Sequence, residues 1–375
     1  MEQIIQEFLT LVQTDAASRD ERRIADYMTA RLQELGFTVH EDGAAAQTGG
    51  NAGNLTAFLP GTIPGCMMLS SHMDRVDRGY GVKPSFQDGY IVSDGTTILG
   101  ADNVSGLASI LDGLRRVLRS GQAHTDIRVV LSVCEEKGIW GARLMDPASY
   151  QAELGFVMDS SGPFGTIEVK RPFKAMTTIE VFGRSAHAGN APENGINAIT
   201  AAAAMLDGIR DGRIDEETTS NIGVIHGGLE EPGTVCDYVR MRCESRSQNE
   251  QKLTDYLSYL RQYCEERIAG TKATCKITTE LQHRNYAYGE DDELVRIAME
   301  CLRDMGQEPK LEAVMGGCDG NIFANNGVPC ISLGMGNENS HSLRERVHVQ
   351  SLIQSGELVE RLILKFAAYR AEKEA

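Results

Sequence analysis

The stretch that decides the fold reads CMMLSSHMDRVDRG over Cys66–Gly79 and, after a polar loop, DGTTILGADNVSGLASIL over Asp94–Leu111. Cys66–Leu69 is short and apolar, as a buried strand is, and His72 and Asp74 stand at its end. Two residues apart in extended chain, their side chains leave on the same face. Asp102 follows a Gly-Ala turn. An apolar helical pattern begins soon after it, with Leu107, Ile110, Leu111 and Leu114 on one face. A carboxylate at that strand-to-helix corner can meet the His72 imidazole across the top of a sheet. That is half of a metal site, and the other half has to come from elsewhere in the chain.

The chain has 375 residues, more than one typical domain holds, so two domains are expected. Its net charge of −16, from 37 basic and 53 acidic residues, argues against a nucleic-acid or anionic-membrane partner. The N-terminal MEQIIQEFLTLVQ is acidic where a secretory signal is basic, and reads as a surface helix. No apolar run approaches the roughly 18 residues of a membrane span. The nine cysteines are scattered without a CxxC pair. Cys66, Cys134 and Cys330 lie in or beside apolar runs, so reduced core thiols of a cytoplasmic protein are expected rather than a zinc-thiolate site.

Outward from the opening stretch, residues 2–14 and 20–35 have helical spacing, and Gly36 closes the second helix. Leu55–Leu59, Asp126–Val133 and Leu154–Met158 read as strands. Strand, helix, strand and loop in this order predict an α/β fold on a mixed sheet, with polar residues at its strand ends. The pattern changes near Glu168. Lys174–Phe182, Ile222–Ile225, Tyr238–Cys243 and Ala273–Thr279 read as half-exposed strands, with helices over Ile196–Ile209 and about Glu250–Arg267. From there α/β character returns, with helices over Glu293–Met305, Gly320–Asn326 and Gln350–Ala371 and strands over Leu311–Val314 and Pro329–Leu333. The expected organisation is a catalytic α/β domain of residues 1–170 and 285–375, interrupted by an inserted α+β domain of residues 171–284.

Four groups of polar residues stand near strand exits: His72, Asp74 and Asp102; Glu135 and Glu136; Asp159; and His341. Singly each is ordinary, as a surface histidine, a solvated glutamate pair or a turn aspartate. Together they have the inventory of a two-metal site, in which neighbouring carboxylates can divide metal binding from proton handling.

In SHMDRV, LGADNVSG, CEEKG, VMDSSG, GRSAHAGNAPENGINAI, ESRS, GGCDGNIF and SHSLRE, the chain resembles the M20 metallopeptidases, in their tripeptide-aminopeptidase branch. The motifs run in family order along nearly the whole sequence. The resemblance implies a zinc-peptidase-like catalytic domain with an inserted lid that also forms a homodimer. It implies two divalent metal ions, zinc first and cobalt or manganese as alternatives, held by His72, Asp102, Glu136, Asp159 and His341, with Asp102 shared. It makes Glu135 the general base for a metal-bridging hydroxide and Asp74 the residue that orients His72. His187 of GRSAHAG becomes an oxyanion donor to a partner subunit's site, and Arg246 a clamp for a substrate carboxylate. Asp319 and Asn321 either shape the substrate pocket or cap the helix they open.

The sequence leaves the family pattern at Asn103 and Val104, where an acidic residue and a lysine are usual. It does so again at Pro232 and Gly233, where a Thr-Asn pair is expected. The expected activity is aminopeptidase action on short peptides. Deacylation of N-acyl amino acids and metal binding without catalysis are the alternatives.

Overall fold

A computed structural model describes residues 2–160 and 162–374. The chain folds as two compact units. One comprises the residues up to Lys170 and those from Tyr286 onward; the other is Arg171–Asn285.

The first unit is built on a nine-stranded mixed sheet. At its centre four strands run parallel, in the order Thr125–Ser132, Ile63–His72, Leu154–Ser160 and Cys330–Gly334. Leu55–Leu59 adds antiparallel to the first of these, and Thr166–Arg171 to the last. Side chains alternate between two cores, as the strand period demands. Met67, Leu69, Ile127, Val129, Leu131, Phe156 and Met158 join the larger core, while Met68, Val130, Val157 and Cys330 join a smaller one on the opposite face. Burial on both faces explains the nearly continuous apolar runs in the sequence.

The larger core is closed by helices Gln3–Val12, Ala101–Ser120, Glu293–Asp304 and Val349–Glu374. The smaller one is closed by Trp140–Leu144 and Asp319–Asn325. A separate four-stranded antiparallel sheet joins Ser85–Gln87, Tyr90–Val92, Arg346–His348 and Asn337–Glu338. Its short strands carry no clear periodicity and were not expected from the sequence.

The second unit is a five-stranded antiparallel sheet ordered Gly212–Arg213, Thr218–Gly227, Tyr238–Ser247, Phe173–Phe182, Thr274–His283. Helices Ala198–Leu206 and Glu250–Ala269 pack on its apolar side, where Ile179, Val181, Met241 and Cys243 meet Met205, Tyr256 and Leu260. Asn197 and Asn249 cap these helices through their side-chain oxygens. The first helix therefore begins at Ala198 rather than Ile196. All nine cysteine thiols are free. No helix among the described residues is long and apolar enough to cross a membrane.

Candidate metal centre

The four parallel strands deliver their carboxyl ends to one rim of the sheet, the side on which open α/β sheets bind ligands. His72 is the last residue of Ile63–His72, and Asp159 is the penultimate residue of Leu154–Ser160. Glu135 and Glu136 lie in a 3₁₀ turn just past Thr125–Ser132. His341 stands in the loop between Asn337–Glu338 and Arg346–His348, at a backbone φ of 63°. Asp102 opens helix Ala101–Ser120 in non-helical geometry.

Gly106 lets this helix approach the sheet. A Cβ there would lie 2.2 Å from the Met158 carbonyl oxygen, 2.7 Å from Ser71 Oγ and 2.8 Å from Asn103 Oδ1. Only a residue without a side chain fits between the helix and the two strands bearing His72 and Asp159.

The carboxylate of Asp102 faces both histidines. Its Oδ1 lies 3.2 Å from His72 Nε2, and its Oδ2 lies 3.4 Å from His341 Nε2. His72 Nε2 is also 3.5 Å from Asp159 Oδ1, and His341 Nε2 is 2.9 Å from Glu136 Oε1. Two ligand groups result, His72–Asp102–Asp159 and Asp102–Glu136–His341, each with its ligand atoms within 4.8 Å of one another. A third group of the same size joins His72, Glu135 and Glu136. Imidazole nitrogens and carboxylate oxygens that share one aspartate fit a pair of divalent cations.

These contacts set the electrostatics. Burial by itself would lower the His72 pKa, but Asp159, Asp102 and Asp74 hold it well above the ordinary value. Hydrogen bonds to Asp102 and Glu136 lift His341 to about 10. Burial opposes ionisation of Asp102, yet His341 and His72 keep its carboxyl well below the usual range. Glu135 goes the other way. Burial, then Asp159, Asp319 and Glu136, push it well above an ordinary glutamate, against the pull of His72.

Asp74 meets the His72 ring more closely through its backbone than through its carboxylate. The strand ends at His72, so Asp74 lies outside it. Its backbone carbonyl oxygen is 2.9 Å from His72 Nδ1, while its carboxylate is farther, at 3.4 Å. The carboxylate instead accepts from Ser18 Oγ at 2.6 Å and from the backbone N–H groups of Glu135 and Glu136 at 2.9 and 3.3 Å.

Glu345 was missed in the sequence. Buried at 1 % exposure, it accepts from Gly100 N at 2.6 Å and Asp102 N at 2.9 Å, and so fixes the corner that carries the shared aspartate. Burial raises its carboxyl to about 7. It follows His341 by four residues in the SHSLRE motif, which was its only sequence signal.

The remaining candidates are more dispersed. Asp319 is buried and accepts from Ser132 Oγ, and burial lifts it to about 7. Asn321 is enclosed and its Oδ1 accepts from Cys318 N in a reciprocal cap, the capping alternative raised for it. Asn103 is buried, and Val104 packs into the larger core where a lysine was expected.

His187 and Arg246 belong to the second unit. His187 Nδ1 accepts from Gly189 N at 3.1 Å and Asn190 N at 3.2 Å. The departing segment at Pro232 and Gly233 is tied to the His187 loop, since Ala188 N donates to Gly233 O at 3.0 Å and His187 pairs with Thr234. Arg246 Nε donates to Glu244 Oε1 at 2.6 Å.

Comparison with known proteins bears on the chemistry. Residues 68–365 match the family described as Peptidase family M20/M25/M40. An uncharacterized protein of Bacillus subtilis (strain 168), YqjE, is 36% identical over 361 residues, covering 96% of this chain and 97% of its own. The crystal structure of aminopeptidase PepT from Bacillus cereus ATCC 10987 superposes with a TM-score of 0.85 at 36% identity, covering 97% of this chain and 98% of that one. A tripeptidase from Staphylococcus aureus subsp. aureus Mu50 superposes with a TM-score of 0.89 at 32% identity, covering 98% of both.

Proposed function

This chain belongs to peptidase family M20/M25/M40, and on that premise we propose that it is a two-metal aminopeptidase of short peptides, tripeptides first. The observation that carries the reading is Asp102, whose two carboxylate oxygens face different histidines. His72, Asp102 and Asp159 would hold one divalent ion, and Asp102, Glu136 and His341 the other, with zinc as the first candidate and cobalt or manganese as alternatives. When bound, the ions supply Lewis acidity to the scissile carbonyl and make an attacking water more acidic.

The chain's own groups do the rest. The Asp74 carbonyl oxygen accepts from His72 Nδ1, which leaves Nε2 to face Asp102 and Asp159. Glu135 takes the proton of the attacking water and returns it to the leaving amine nitrogen. Burial raises the affinity of its carboxyl for the proton it takes. His187 is assigned to the oxyanion and Arg246 to a substrate carboxylate, on the strength of their motifs and of guanidinium chemistry. Asp319, buried next to the charges of this centre, is assigned to shaping the pocket.

A homodimer through the second unit is part of the proposal. Strand Thr218–Gly227 pairs on its outer side with Gly212–Arg213 only at Thr219 and Ser220. Among the described residues, this leaves Asn221–Gly227 as an open edge. Ile225 within it is 53% exposed, and Leu229 just past it is 78% exposed. An open edge with apolar side chains supports self-association.

The test offers metal-reconstituted protein di- and tripeptides beside N-acetyl amino acids. Turnover of tripeptides is expected, and turnover of N-acetyl amino acids alone would replace this reading by deacylation. Glu135→Ala should keep its metal and lose about a hundredfold to ten-thousandfold in kcat. Undiminished hydrolysis by that variant would remove Glu135 from the role of base.

A further inference from the structure

Three consecutive backbone N–H groups, those of Cys134, Glu135 and Glu136, point into the protein behind the glutamate pair. Asp74 accepts the second and third. The first is taken by Glu21, a residue 113 positions away in sequence, whose Oε1 lies 3.0 Å from Cys134 N and 3.4 Å from Cys134 Sγ. Glu21 is fully buried, and its other oxygen, Oε2, finds no hydrogen-bond partner among the described residues. It stands at the N-cap of helix Arg22–Glu34 but makes no side-chain cap there. Its other bond, from Arg19 N at 2.8 Å, is local. A buried carboxylate that neither caps its own helix nor meets a cation needs another reason to be there.

The conformation of Cys134 supplies one. Its φ is 52° and ψ 36°, left-handed geometry that a residue with a side chain seldom adopts. That twist ends strand Thr125–Ser132 and sends the next two residues, Glu135 and Glu136, to the sheet rim. The segment carrying Glu21 is itself tied to the strand end that bears His72. Arg75 N donates to Ala16 O at 2.9 Å, Ser18 N to Arg75 O at 3.2 Å, and Ser18 Oγ to Asp74 Oδ2 at 2.6 Å.

We propose that Glu21 is a positioning residue, holding Cys134 in its left-handed turn so that Glu135 meets the substrate water and Glu136 meets its metal. The idea rests on the two-metal peptidase reading. Residues Ala16–Glu21 thereby act as a back plate, joining the strand end with His72 to the turn with the two glutamates.

The test compares Glu21→Ala, Glu21→Gln and Glu21→Asp in the full chain. Gln keeps an acceptor oxygen at the same reach, whereas Asp keeps the charge and falls short by one methylene. Glu21→Ala is expected to lower kcat by about tenfold to a hundredfold, with KM within about twofold, and to weaken zinc binding by the metal-free protein about tenfold. In that metal-free variant the Cys134 amide should exchange hydrogen at least about tenfold faster, while amides of Ile63–His72 stay protected.

Glu21→Gln should retain kcat within about threefold, and Glu21→Asp should resemble Ala; if Ala does not fold, this pair decides alone. Unchanged exchange at Cys134 in Ala or Asp, or equal damage from Gln and Ala, would overturn the proposal. If wild-type protein cleaved no peptide, the peptidase reading would fall. Exchange and zinc binding would still judge Glu21.

Discussion

At the scale of the residue, the site is an arrangement of carboxylates around two imidazoles. The side chains among them were legible because each stands where an apolar run stops: His72 after Leu69, Asp159 after Met158, the glutamate pair after Val133. What escaped the sequence is what the backbone contributes. The Asp74 carbonyl on His72 has no letter of its own. Glu345 is an ordinary acid in a polar loop until its partners, the N–H groups of Gly100 and Asp102, are known. His283 shows the reverse: it belongs to no motif, yet it is 4% exposed and its Nε2 has no hydrogen-bond partner among the described residues. Burial, followed in effect by the nearby Lys174, Arg246 and Arg171, pushes it down to about 4. Unfolded, it titrates near 6.5, so between these values the unfolded state binds more protons and stability rises with pH. The second unit should be fully stable above about pH 6.5 and lose about 3 kcal/mol as pH falls to 4. Hydrogen exchange of strand Phe173–Phe182 across that range should show this slope, and His283→Gln should flatten it. An equal slope in the variant would assign the loss to other groups.

At the scale of the element, the four parallel strands were visible through their apolar runs, and their order was not. Periodicity says that a strand is buried, not which neighbour it takes. Cys330–Gly334 lies beside Leu154–Ser160, far earlier in the chain. The four-stranded antiparallel sheet was invisible because its strands have two or three residues and Ser85–Gln87 is exposed throughout. Helix Ala101–Ser120 was expected to begin only after Asp102, yet its first turn carries that aspartate. Its approach to the sheet depends on Gly106. Gly106→Ala improves helix propensity by about 1 kcal/mol, yet the added carbon would meet a carbonyl oxygen. A net loss of about 1–3 kcal/mol is expected in chemical denaturation, with weaker zinc binding as Asp102 shifts away from His72. A variant as stable as wild type with unaltered zinc affinity would show that the helix can move without disturbing the centre.

At the scale of the whole molecule, the change of pattern near Glu168 marks a real discontinuity, since the second unit begins at Arg171 and ends at Asn285. Half-exposed alternation on one side and helices on the other gave it away. The proposed self-association rests on the open edge of Thr218–Gly227. Ile225→Lys should convert a dimer into a monomer in sedimentation velocity at micromolar concentration, leaving the fold intact. A wild-type chain that sediments as a monomer would refute the dimer outright. The insertion also splits the proposed metal ligands. A ribosome adding residues one at a time delivers His72, Asp102, Glu136 and Asp159 early, then the whole second unit, and His341 only near the end. The slot that Cys330–Gly334 fills beside Leu154–Ser160 stays open for the same interval. The group His72–Asp102–Asp159 is therefore delivered whole before the second unit, whereas the group Asp102–Glu136–His341 is completed only after it, so synthesis brings the two groups into being one after the other.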